Sequence, residues 1–184
     1  GVEVGSVVLV GCGANFSALL TDRGRVLTTG SSEYGALGLG RVRKVAVPTV
    51  LTSKVLEKRF FAHLAVGEEH CAAVTSKGNV YTWGQGCFGA VGKAAASRLM
   101  HPPDCLRPHR LTLPDEMRAE EVACGGNYTA IVLAGGEVVV LGDDDTTIRS
   151  AGGEGRVLQG QSVRCGRFHT MVLSDVASAS GLPR

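Results

Sequence analysis

The chain has 184 residues, a formal net charge of +2, 44% hydrophobic and 20% charged residues. That is the balance of a globular domain with a core of its own. A charge so near neutral predicts neither a strong nucleic-acid footprint nor an acidic substrate, and no apolar run approaches the ~20 residues that cross a bilayer as a helix.

In chain order, the first elements are two short β runs, Ser17–Thr21 and Arg25–Thr29, joined by the turn Asp22-Arg23-Gly24. A glycine at the turn's end accepts positive φ without a steric penalty, as a tight hairpin requires. The run Val45–Leu51 follows and contains Pro48. Proline cannot donate to a central ladder, so this strand belongs at an outer edge. Leu64-Ala65-Val66 is a short apolar strand before Gly67, and Cys71–Thr75, Ser76-Lys77-Gly78 and Asn79–Trp83 form a second hairpin. Arg107–Leu111 carries Pro108 and is a second outer strand. Val122-Ala123-Cys124, the turn Ala134-Gly135-Gly136 and Glu137–Leu141 begin the series a third time.

The series is an internal repeat. Gly13–Gly38 lies over Gly67–Gly92 at an offset of 54 residues without a gap, and 10 of the 26 positions are identical. Among them are Ala18/Ala72, Thr21/Thr75, Thr28/Thr82, Gly30/Gly84 and Ala36/Ala90. A third copy starts at Val122. A fourth starts at Val163 with Cys165-Gly166 and fades after Asp175. The 26 glycines are about twice the average share and punctuate these copies. About four strands per unit is the arithmetic of a propeller blade. The expected boundaries are 1–50, 51–111, 112–155 and 156–184, the last incomplete. With no Met at position 1, the chain is expected to be part of a longer protein. Ala18, Ala72, Ala130 and the cysteines are small enough for strands that converge on an axis.

The second copy carries the clearest pattern: Val66-Gly67, His70-Cys71-Ala72, Thr75, Gly78, Val80-Tyr81-Thr82-Trp83-Gly84, then Gly89-Ala90-Val91-Gly92. It resembles the repeat of the regulator-of-chromosome-condensation family. The resemblance implies an all-β, four-stranded-blade propeller of seven blades, of which about four are present. It also implies a choice of roles. The leading one is a non-catalytic protein-interaction scaffold. The alternatives are a guanine-nucleotide exchange factor for a Ran-type small GTPase, marked by a long wedge-like hairpin, and an accessory domain of a kinase or ubiquitin ligase. An intracellular place, cytoplasmic, nuclear, or in a ciliary, cytoskeletal or organellar assembly, goes with each. Related photoreceptors use clustered tryptophans, whereas this chain has one, Trp83.

Other motifs reduce to blade framework. Gly84-Gln85-Gly86-Cys87-Phe88-Gly89, with Asp104 beyond, fits a dinucleotide fingerprint. The equivalent Gly30 and Gly35 repeat its outer glycines without the middle one, so turn punctuation explains it and no cofactor is expected. His101, Cys105 and His109 with Cys87 lack the spacing of a zinc knuckle. Asn15-Phe16-Ser17 and Asn127-Tyr128-Thr129 are formal glycosylation sequons, which repeat chemistry accounts for without sugar. Asp143-Asp144-Asp145 reads as a solvated turn, and His70 and His169 as packed blade histidines. The six cysteines are expected to be free thiols, because those equivalent by repeat fall on different blades. No catalytic set recurs.

One charge feature remains. Arg41, Arg43, Lys44, Lys54, Lys58 and Arg59 oppose a single acid, Glu57. They are candidate partner-binding residues for an acidic protein, microtubules or nucleic acid. Lys93 and Arg98 are added because Lys93–Arg107 is the largest insertion in the repeat, and loops on a rigid scaffold are where binding resides.

Overall fold

Three four-stranded antiparallel sheets and a two-stranded one follow each other along the chain. A computed structural model describes residues 3–53, 55–56, 58–86, 90–92, 104–113, 117–142, 149–150 and 160–174. Blade 1 is β1 (Val7–Cys12), β2 (Phe16–Thr21), β3 (Val26–Ser31) and β4 (Lys44–Val50). Blade 2 is β5 (Phe61–Val66), β6 (His70–Thr75), β7 (Val80–Gly84) and β8 (Cys105–Arg110). Blade 3 is β9 (Ala119–Cys124), β10 (Tyr128–Leu133), β11 (Val138–Gly142) and β12 (Arg149–Ser150). β13 (Ser162–Cys165) and β14 (Thr170–Leu173) begin blade 4. There is no helix among the described residues.

The turn chemistry explains the hairpins. Gly24, Gly78 and Gly136 close the β2–β3, β6–β7 and β10–β11 turns at φ of 64°, 77° and 86°, a region that a side chain makes costly. The proline-bearing strands β4 and β8 are each outermost in their sheet, where the donor missing at Pro48 or Pro108 interrupts no ladder.

No blade buries both faces alone, so the core lies between blades. Phe16, Ala18, Leu20, Leu37, Phe61, Tyr81 and Trp83 fill the layer between blades 1 and 2. Val74, Val80, Ile131, Leu133 and Leu141 fill the next, and Ala130, Val132, Val138 and Val163 the third. Strand alternation makes this work: on β6, Cys71 and Ala73 belong to the first layer and Ala72 and Val74 to the second. Ala18, Ala72 and Ala130 sit here, each fully buried on the second strand of its blade. They set the spacing between sheets and not the width of the axis. The innermost strands are β1, β5, β9 and β13, and it is Cys12, Cys124 and Cys165 at their ends that line the axial funnel, a cavity of about 300 Å³.

A chain of backbone hydrogen bonds rings that funnel. Ala14 N–H donates to Glu68 C=O at 2.9 Å, Glu68 N–H to Gly126 C=O at 3.3 Å, and Gly126 N–H to Arg167 C=O at 3.1 Å. These four residues hold the same repeat position, one after the anchor glycine.

Candidate interaction surface

Four anchor glycines show why the sequence repeats as it does. A β-carbon on Gly13, Gly67, Gly125 or Gly166 would meet the ring three residues later at 2.0–2.3 Å: Phe16, His70, Tyr128 and His169 respectively. The ring lies flat on its glycine in every copy, so that column accepts Phe, His or Tyr while the glycine cannot change.

The chemistry-bearing side chains of the blade interior fasten one blade to the next. Trp83 Nε1–H donates to Ala36 C=O at 2.8 Å, and Cys71 Sγ–H reaches the same oxygen at 3.8 Å. Thr129 Oγ1 donates to Ala90 C=O at 2.8 Å. Ala36 and Ala90 are equivalent, so each blade's Gly-Ala-Leu or Gly-Ala-Val loop is held by the following blade. Thr28 and Thr82 tie the same loops from within, to Leu37 and Val91 carbonyls, both at 2.7 Å. His70 Nε2 lies 3.0 Å from Thr129 Oγ1. The threonine hydrogen is committed to Ala90, so the histidine is the donor, which fixes its Nε2–H tautomer. Complete burial lowers the His70 pKa to about 4, partly offset by its hydrogen bond to the Tyr128 backbone. Burial pushes the Cys71 thiol well up and the Cys124 thiol up to about 12, which keeps both protonated and unreactive at neutral pH.

The motifs with an enzymatic look resolve the same way. Asp104 Oδ1 accepts from Gly86 N–H at 2.9 Å, so the acid beyond the glycine-rich stretch closes its loop. His109 Nε2 lies 3.4 Å from Thr82 Oγ1 inside blade 2. Among the described residues there is no cluster of three or more metal-ligating side chains. Cys87, His101 and Asp143–Asp145 lie outside the described residues.

The basic stretch divides. Arg41 and Arg43 leave blade 1 in the β3–β4 connection, and Lys44 opens β4 on the same, upper, face as the funnel. Lys58 and Arg59 lie in the β4–β5 connection on the lower face, beside the exposed Val55 and Phe60. The strand between the two groups, β4, has seven residues and carries the chain about 20 Å. Lys54, Lys93 and Arg98 lie outside the described residues.

On the upper face the β3–β4 connection docks onto blade 2. Gly40 N–H donates to Leu106 C=O at 2.8 Å. A β-carbon on Gly40 would meet the Arg107 guanidinium at 2.9 Å. The result is an open groove of about 440 Å³, lined by Ser32, Glu33, Arg41, Val42, Arg43 and Leu106 with Gly35 and Gly40. Arg41, Arg43, Lys44 and Arg107 are exposed, and no carboxylate among the described residues lies within ion-pair distance of them. Toward the axis, Glu69 is held above the usual carboxylate range by burial and then by Glu68 and Glu33, against a hydrogen bond from Ser32. Glu68 itself pairs with Arg167 of blade 4 at 3.0 Å. Leu106, Val42 and Arg107 gave no sequence signal as a group, because they meet only when two blades stack.

Models of the regulator of chromosome condensation (RCC1) repeat match residues 23–74 and 77–132, and a second such model matches 7–36 and 61–90. The chain belongs to the RCC1 repeat family. The first pair of matches runs out of phase with the sheets: each RCC1 repeat so defined starts in the turn before one blade's β3 or β7 and ends in the next blade's β6 or β10. The chain is 27% identical over 180 residues to human E3 ubiquitin-protein ligase HERC2, covering 92% of this chain and 4% of that protein. It superposes on the crystal structure of human WBSCR16 with a TM-score of 0.76 and 26% identity, over 93% of this chain and 46% of that one. Yeast RCC1 (Prp20), solved bound to Kap60, aligns with a TM-score of 0.70 and 22% identity over 94% of this chain and 42% of its own, a likeness of fold. The chain thus spans less than half the length of each of these relatives.

Proposed function

We propose that the chain is a non-catalytic protein-interaction module, a propeller segment that serves a larger intracellular assembly. One observation carries this reading. The side chains with chemical capacity in the blade interior, His70, Cys71, Trp83 and Thr129, hold blades together, while the surface carries loops of mixed charge on a stiff frame. Such a frame positions loops for binding. That yeast RCC1 (Prp20) was crystallised bound to another protein, Kap60, supports the same reading. The alignment with a small part of a ubiquitin ligase supports the narrower version, an accessory domain within a larger enzyme.

Affinity purification of the full-length protein from its own cells, with mass spectrometry after a salt wash, tests the proposal. A fixed set of proteins at constant stoichiometry is expected. Recovery of the protein alone would contradict it, and retention of a small GTPase only in the nucleotide-free state would replace it with the exchange-factor reading. The reducing compartment is supported by Cys12, Cys71, Cys124 and Cys165 standing as free thiols. Thiol titration of the native protein that found disulfides would overturn that part.

A further inference from the structure

The upper groove between blades 1 and 2 has a chemistry of its own. Its cationic wall is Arg41 and Arg43, with Lys44 and Arg107 beside it, against the one carboxylate of Glu33. Arginine guanidinium groups left without a carboxylate match planar anions in a bidentate fork. The groove also holds exposed apolar surface: Val42 is 45% and Leu106 37% exposed, with Tyr34 at 40% on the same loop. Its floor is fixed, because Gly40 is hydrogen-bonded to Leu106 and Ser32 Oγ accepts from Ala36 N–H at 2.8 Å.

We propose that this groove docks an acidic, extended segment of a partner protein, one that sets an apolar side chain between its carboxylates. The proposal rests on the interaction-module reading and names the partner's chemistry. Charge complementarity selects an anion. The volume, about 440 Å³, suits a few side chains. The apolar wall and Glu33 select a peptide over a nucleic-acid backbone, whose continuous phosphates would meet a carboxylate and leave Val42 and Leu106 without a partner.

The test uses the full-length protein and two labelled probes, a synthetic Glu/Asp peptide with a single central Leu and a short DNA duplex, with affinity read by fluorescence anisotropy. The account predicts peptide binding that weakens with salt and falls about tenfold or more in the R41E/R43E variant, the loss expected when roughly 1.4 kcal/mol of ion pairing is removed. K58E/R59E, on the opposite face, is expected to stay within about twofold of wild type, since well-separated sites act independently. Replacing the peptide's Leu with Ser is expected to weaken binding several-fold. Equal losses in both double variants, no loss in R41E/R43E, or a duplex that binds through Arg41 and Arg43 when the peptide does not, would each overturn the proposal. Unchanged melting temperatures tie the loss to the groove, and all four positions are exposed. A cellular assembly that survived R41E/R43E intact would sink the groove and leave the interaction module standing.

Discussion

Trp83 shows how much of the repeat is inter-blade fastening. It is fully buried, and its indole N–H satisfies the carbonyl of Ala36 on the neighbouring blade. Trp83→Phe keeps most of the apolar area and removes the donor. A loss of about 1–3 kcal/mol is expected, because the buried carbonyl is left with only the weak Cys71 S–H donor, read as a lower denaturant midpoint at unchanged slope. His70 adds a dependence on pH. Its folded pKa is about 4 against an ordinary 6.5, so the unfolded chain binds the extra proton between those values. Stability from this residue is therefore complete above pH 6.5 and declines as pH falls from 6.5 toward 4, by at most about 3 kcal/mol. Denaturation midpoints measured across that range are expected to show the decline in wild type and a flatter profile in His70→Phe.

The hairpin and its anchor glycine are the unit that recurs, and their constraints are steric. Gly67→Ala would drive a β-carbon to 2.3 Å from the His70 ring and 2.6 Å from Gly125 C=O. The second contact is backbone, which cannot rotate away. A loss at or above the usual 1–3 kcal/mol of overpacking is expected, about as large as any single change in the blade. Gly135→Ala, at φ +115° but with nothing within 4 Å, is expected to cost less, which thermal melts of the pair would check. These constraints are also why so much of the fold was legible beforehand. All four copies need glycine under the ring, and the first three have glycine at the turn and admit proline only at the edge, so the pattern recurs whatever the blade binds. The rest was hidden for equally physical reasons. Ala18, Ala72 and Ala130 match the small residues expected beside an axis, yet they occupy the second strand, because tight sheet-to-sheet spacing demands the same small size. The basic stretch reads as continuous, yet β4 carries the chain from one face of the ring to the other between Lys44 and Lys58. Arg107 reaches Gly40 only across a blade boundary.

The arc of blades leaves two apolar faces uncovered. Val7 and Val10 on β1 are 50% and 58% exposed, and Met171 and Leu173 at the far end are 60% and 58% exposed. The equivalent positions inside the arc, Phe61 and Leu64 on β5 and Ala72 and Val74 on β6, are each buried by a neighbouring blade. Contiguous apolar surface of this kind associates. The 184-residue chain prepared by itself is expected to self-associate in sedimentation experiments, and V7K/V10K with M171K is expected to shift it toward monomer.

The arc therefore combines a fastened interior with a surface free to bind, and hydrogen–deuterium exchange of the full-length protein, alone and in its purified assembly, tests that combination most directly. The account predicts slow, unchanged exchange at the amides of the axial ring, Ala14, Glu68 and Gly126. New protection is expected in the upper connection around Arg41–Arg43. An assembly in which no surface segment gains protection, or in which the axial amides change instead, would contradict it.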